Sequence, residues 1–228
     1  ASIPPSLKLR RVGKYPSSIK VTAGRQVSGK PEETLVDWLI NKYPEIKEVG
    51  DEPQVRPGIV HRLDKETSGI MVVAKNQKTF EYLKSLFKDH KIIKKYTTIV
   101  YGLMKLGEGV VDRPIGIKTG SIKRTVFSTK MVKEAITKYK VLKNLEAYGN
   151  DFSFLEVWPL TGRTHQIRVH LALIGHPGVG DKIYGLARVK IFDPGRLMLH
   201  ASSLEFVKSD GHKLKLEVDL PEDFKKLF

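Results

Sequence analysis

Apolar residues recur with two different periods along this chain, and the switches between them mark out helices and strands. Leu35, Val36, Leu39 and Ile40 share one face at helical spacing, which predicts a helix over 32–44. Phe80, Leu83 and Phe87 do the same and predict a second helix over 77–89. The unbroken run Ile70-Met71-Val72-Val73-Ala74 follows Gly69 directly and predicts a buried strand over 69–74. β-Branched residues and tyrosines predict a strand from Lys91 to Gly102. Short strands broken by glycines are expected over 109–128. Alternation at Ala135, Tyr139 and Val141, then at Phe152, Phe154 and Val157, predicts two more. Thr164 is placed to cap a helix running to Ile174, with Ile167, Leu171 and Ile174 as its stripe and Gly175 as its stop. Strands near 197–207 and 212–219, and a short helix opened by Pro221, complete the pattern. Long neighbouring strands with a few inserted helices predict an α+β fold with a largely antiparallel sheet.

The first thirty residues have no such period. They are basic and rich in Gly, Pro and Ser, and are expected to form an arm over 1–30 holding at most one short strand, with 31–228 as a single domain. Charge sharpens the picture. Forty Lys and Arg face 25 Asp and Glu, a formal net charge of +15. A solvated surface of thermophile type would add Glu along with Lys. An excess this large points to a polyanionic partner, and first to nucleic acid. Cysteine is absent, which excludes disulfides and thiolate metal sites. No apolar run approaches the ~18 residues of a membrane span. Ala1-Ser2-Ile3-Pro4-Pro5 lacks the apolar core of a signal peptide, so the expected location is the cytoplasm.

Candidate chemistry gathers in four segments. In His61–Asn76, HRLDKETSGIMVVAKN, one carboxylate, Asp64, lies between Arg62 and Lys65 and just ahead of the turn Thr67-Ser68-Gly69. A lone carboxylate held near cations at a strand entry is suited to act as a nucleophile; the plainer reading is a cap or surface charge. In Thr161–His170, TGRTHQIRVH, Arg163, His165, Arg168 and His170 crowd onto and before one helix. Arg168 is able to reach a buried carboxylate and hold it with two bonds; alternatively this is a basic face touching phosphate. His61, His165, His170 and His176, with Asp64 or Asp181, offer metal-type side chains, but a five-residue spacing suits one helical face poorly and no metal is expected. Tyr96, beside Lys94 and Lys95, is either a cross-strand residue or a stacking face for a base. Leu197 and Leu199 are either plain strand core or the wall of a small pocket.

Together these segments resemble the RluA-type RNA pseudouridine synthases. HRLDKETSG matches that family's catalytic motif, and Tyr96 sits in the expected following strand. GRTHQIRVHLALIGHPGVGDKIYG matches its arginine motif and the loop after it, and LMLHASSLEF its late strand. The resemblance covers roughly 32–220. It implies the pseudouridine synthase catalytic fold, a mixed, largely antiparallel central sheet flanked by helices, with a basic RNA-binding cleft. It implies an isomerase that frees the uracil of a uridine in rRNA or tRNA, turns it and rejoins it through C5, without cofactor or metal. By motif position Asp64 is the nucleophile, at C1′ or at C6, and Arg168 pairs with it. Tyr96 stacks on the uracil and assists loss of the C5 proton, and Arg62 fills the gap left by the flipped nucleotide. His61, Thr67, Arg163, His165, Leu197 and Leu199 are expected to touch RNA or the base. Many relatives carry an S4-like module first; the stretch before Asp64 is expected to hold none, and the usual first strand to be shortened or replaced. A monomer is expected. The competing expectations are a catalytically idle RNA-binding module and a metal-dependent nuclease.

Overall fold

Thr34 and Asp37 fix the start of the first helix. The Thr34 hydroxyl accepts the Asp37 N–H at 3.2 Å and the Asp37 carboxylate accepts the Thr34 N–H at 2.8 Å, a reciprocal cap that satisfies two otherwise orphaned donors. The resulting α1 (Leu35–Lys42) buries Leu35 and Leu39. In α2 (Gln77–Lys88) the Asn76 side chain accepts the Thr79 N–H, and Phe80, Leu83 and Leu86 are buried. The computed structural model describes residues 34–117, 123–128, 130–185 and 194–225. The arm expected over 1–30 lies outside them.

The described strands are β1 (Ser68–Gly69), β2 (Ile93–Tyr101), β3 (Gly107–Asp112), β4 (Gly116–Ile117), β5 (Arg124–Thr125), β6 (Ile136–Ala147), β7 (Asn150–Pro159), β8 (Leu199–Val207) and β9 (Lys213–Glu217). Two short helices, α3 (Gln166–Leu173) and α4 (Glu222–Lys225), accompany them. The main sheet runs β1-β8-β2-β7-β6-β3, with β9 sharing the β8 edge that β1 occupies further back. All of its pairings are antiparallel except β1 with β8. β4 and β5 form a separate hairpin. The α+β class with a largely antiparallel mixed sheet is therefore the observed one.

Both faces of the central strands are buried, so β2 is buried without a break from Thr97 to Val100. On one face Val100, Val141, Leu155, Val157, Leu197 and Leu199 pack under Ile167 and Leu171 of α3. On the other, Ile99, Phe152 and Met198 meet Val179 and Phe224. α3 is thereby seated over the middle of the sheet, and it carries Arg168.

Two expectations fail locally. The strand predicted over 69–74 shrinks to Ser68–Gly69. Beyond it the Val72 N–H donates to the His61 ring at 3.0 Å, and the Ala74 N–H to the Gly58 carbonyl. The run is buried as the pattern demanded, but side-chain and loop acceptors replace a ladder. The predicted Thr164 cap is also wrong: α3 starts at Gln166, behind His165 in the left-handed region at φ 57° with no side-chain cap.

Candidate active site

Asp64 sits at the head of a turn closed by the Thr67 N–H donating to the Asp64 carbonyl at 2.9 Å. Gly69 ends that turn at φ +124°; a Cβ there would lie 2.3 Å from the Ala201 carbonyl, so only glycine lets β1 approach β8 so closely. Behind the turn, Ser68 Oγ is 2.8 Å from His200 Nδ1 and accepts from Arg196 Nη1 at 3.1 Å. Burial, then the Arg196 charge, pushes His200 down to about 4, so its ring is neutral at neutral pH. Arg196 also grips Asp223 of α4 with two bonds, at 2.5 and 2.9 Å. The turn carrying Asp64 is thus tied to the C-terminal helix.

Arg168 comes down onto this turn from α3. Its Nη1 is 3.4 Å from Asp64 Oδ2. Its two strong bonds go elsewhere: Nε and Nη2 each donate to Asp181 at 2.7 Å. The Asp181 side chain is fully buried and also accepts the N–H groups of Ile183 and Tyr184 at 2.9 Å. Burial alone would raise its pKa; Arg168 and these amides hold it below the ordinary value. Asp64 is 17% exposed and Arg168 only 4%. The guanidinium is therefore locked by Asp181 and offers Asp64 one longer contact. A nucleophile is served by this division: it is aimed, but its lone pairs are not consumed by a bidentate fork.

His165 completes the cluster. Its Nε2 is 3.9 Å from Asp64 Oδ1, and its Nδ1 is 2.9 Å from the Tyr184 hydroxyl. That hydroxyl also accepts the Arg124 N–H at 2.9 Å. Burial outweighs the Asp64 charge and lowers the His165 pKa, so this is no ion pair at neutral pH. The left-handed turn at His165 is what swings the ring there. Gln166 makes it possible by accepting from Thr161 Oγ1 and the Arg163 N–H, and by donating to the Ile136 carbonyl and Thr137. Tyr96 is half-buried between the α3 core and the cluster around Leu63, Met71 and Ala201. Burial first, and then the nearby Asp64 charge, pushes its phenol well above the ordinary value.

Asp64, Arg168, His165 and Tyr96 are thus brought together. Leu197 and Leu199 are buried beside Tyr96, Arg62 is exposed, and Thr67 is buried with a hydroxyl that has no partner among the described residues. Arg163 donates from Nε to the Glu134 carbonyl at 2.8 Å. His61 is engaged away from the cluster: Val72 donates to it and Phe87 stacks on it at 4.5 Å. The remaining histidines take separate places too, His170 between Thr137 and the Arg113 carbonyl, His176 on the Tyr101 carbonyl.

Sequence reasoning missed Asp181 as the partner of Arg168, Tyr184 as the support of His165, and Lys94. The Lys94 ammonium donates to the Thr161 carbonyl at 3.2 Å, and burial, then Arg163, pushes it down to about 8. The signal for the first two was GDKIYG. A Cβ at Gly180 would sit 2.0 Å from the Arg196 carbonyl, and one at Gly185 2.3 Å from that of Asp181, so both glycines mark a loop folded hard against the site.

A model of the family described as RNA pseudouridylate synthase matches residues 18–173. An uncharacterized RNA pseudouridine synthase of Aquifex aeolicus is 40% identical over 209 residues, covering 88% of this chain and 64% of that protein. The ribosomal large subunit pseudouridine synthase D of Borreliella burgdorferi is 36% identical, over 85% of this chain and 58% of its own length. The chain therefore spans roughly three fifths of these curated relatives. Among solved structures, human RNA pseudouridylate synthase domain containing 1 superposes with a TM-score of 0.71 at 28% identity, covering 82% of this chain and 74% of that one. Motifs, superposition and relatives agree: the chain belongs to the RNA pseudouridylate synthase family, in its RluA-type branch.

Proposed function

We propose that this chain isomerises uridine to pseudouridine in RNA, with Asp64 as the nucleophile. The observation that carries the proposal is the Asp64 carboxylate, partly exposed and 3.4 Å from a guanidinium that Asp181 already holds. The chemistry balances without any added reagent. The glycosidic C–N bond breaks, a C–C bond forms at C5, and the C5 proton leaves while N1 gains one. No redox group, metal or second substrate is required, and one nucleophile with one proton path suffices.

In this reading a target uridine leaves its stack, at a cost of a few kcal/mol. The Tyr96 ring and the apolar side chains beside it offset that cost by stacking. Its raised pKa keeps the phenol protonated near neutrality, so it offers a ring face and an O–H rather than a phenolate. Arg168 orients Asp64, and neutral His165 stands beside the same carboxylate. Arg62, exposed two residues before Asp64, fills the vacated stack. Thr67, Arg163 and Lys94, the last still mostly protonated near neutrality, line the approach. The described residues act as one catalytic domain, as a monomer in the cytoplasm. Large-subunit ribosomal RNA is the leading substrate, following the names of the relatives, with transfer RNA second. None of the described helices is long and apolar enough to cross a membrane.

The test is pseudouridine mapping of ribosomal and transfer RNA made without modification and incubated with the protein. One or more uridines should convert, equally well with a chelator present. RNA that is bound but never isomerised would count against the proposal.

A further inference from the structure

Beside the catalytic cluster, and separate from it, lies a cavity of about 220 Å³ lined by Ile115, Ile117, Arg124, Met131, Lys133, Gly162, Arg163 and Thr164. Its described lining holds three cations and no carboxylate. The Arg124 Nε–H is buried and has no hydrogen-bond partner among the described residues. A buried guanidinium donor left without an acceptor is costly unless a ligand supplies one. The cavity is rigidly joined to the site. Its β4–β5 wall is anchored on α3 through Ile115, Ala135 and Val169, with Val126 and Tyr184 packed against them. Its other wall, Gly162–Thr164, leads directly into His165. The Arg124 N–H reaches Asp64 through only Tyr184 and His165. Met131, which lines it, is 67% exposed, and Phe127, three residues after Arg124, is 84% exposed.

We propose that this cavity binds one backbone phosphate of the RNA strand next to the target nucleotide, gripped by Arg124, Lys133 and Arg163, with Phe127 and Met131 offering a face to the adjoining base. The proposal rests on the reading of this chain as an enzyme acting on RNA, and adds to it where the strand is held. A phosphodiester supplies the acceptor that Arg124 Nε lacks and the negative charge that the three cations lack. A strand pinned there has its register set relative to Asp64, because Tyr184 and His165 connect the two places.

Binding of a uridine-containing RNA hairpin, measured as log Kd against log salt, reads this without requiring catalysis. Lys133→Gln and Arg124→Gln should each weaken binding several-fold at 150 mM salt. Each should also lower the salt slope, by no more than the roughly 0.7–0.9 that one neutralised phosphate contributes. Arg124→Lys, which keeps the charge but not the fork, should restore the slope more than the affinity. Lys78→Gln, on the exposed side of α2, serves as the control and should leave both near wild type. Wild-type slope and Kd in the Lys133→Gln and Arg124→Gln proteins would overturn the assignment, as would an equal loss in Lys78→Gln. Isomerisation followed on the same hairpin separates the two readings. A phosphate contact without isomerisation defeats the proposed function alone; isomerisation with unchanged slopes defeats the pocket alone.

Discussion

Replacing Asp181 by Asn isolates the division of labour between the two carboxylates that Arg168 serves. The substitution preserves side-chain size and one acceptor oxygen for the Ile183 and Tyr184 amides, but removes the charge. Arg168 is then left with two donors that had 2.7 Å bonds to a carboxylate, in a place where its side chain is only 4% exposed. Breaking a buried pair by neutralising one partner costs about 3–5 kcal/mol. In a protein of this size each kcal/mol moves Tm by roughly 2–4 °C, so a fall of roughly 6–20 °C is expected. The freed guanidinium also has one carboxylate left within reach. It turns its fork onto Asp64, whose present contact is 3.4 Å, and occupies the lone pairs needed for attack. Single-turnover release of tritium from [5-³H]uridine in RNA should fall about 100-fold or more, well below the temperature at which the variant unfolds. Thermal unfolding and RNA affinity are measured alongside. An Asp181→Asn protein with wild-type Tm and rate would refute the reasoning. One that is destabilised but as fast as wild type would show that Arg168 needs no second anchor.

Three further outcomes follow from other parts of the structure. His61 takes a proton near 6.5 in the unfolded chain and only near 3 when folded, so its contribution is intact above about pH 6.5 and is lost as pH falls toward 3. At pH 5 this amounts to about 2 kcal/mol; unfolding at pH 7.5 and pH 5 should show that much less acid sensitivity in His61→Gln, whose amide oxygen still accepts from Val72. Arg196→Lys keeps a charge but cannot hold Asp223 by two bonds while also donating to Ser68; a loss of about 1–2 kcal/mol in denaturant titration is expected. Tyr96→Phe should retain RNA affinity, whereas Tyr96→Leu should lose about 1–3 kcal/mol of stacking. Because the phenol is pushed up, the wild-type rate should not climb between pH 7 and pH 9 on account of this residue.

The main course of the sheet was legible because its residues obey simple periods. Ile99 and Val100 serve opposite faces, and so do Leu155 and Phe154, which is why β2 and β7 read as strands from apolar content alone. Asp64 and Arg168 were singled out for a different reason: each lies in a segment that resembles a family motif, and only that resemblance suggested that two residues 104 positions apart would meet. What escaped was long-range. The partner of Arg168 is thirteen residues away across a loop whose glycines approach backbone atoms within van der Waals contact, and no period reports such a closure. The start of α3 was misplaced because Thr164 has the chemistry of a cap, whereas Gln166 binds the preceding loop more fully and leaves His165 left-handed. The apolar run after Gly69 was rightly buried but wrongly laddered, because a histidine side chain eleven residues earlier accepts one of its amides. The hairpin of β4 and β5 was visible only as glycine-broken fragments, and its basic cavity depends on Arg163 arriving from elsewhere in the chain.

The most direct measurement is pseudouridine yield from Asp64→Asn compared with wild type, on the same RNA at saturating protein. Asn fills the same space and leaves Arg168 bound to Asp181, so the fold and the hold on RNA should persist. Yield should drop to background while affinity stays within a few-fold. An Asp64→Asn protein that converts uridine at the wild-type rate would contradict the assignment of this carboxylate as the attacking group.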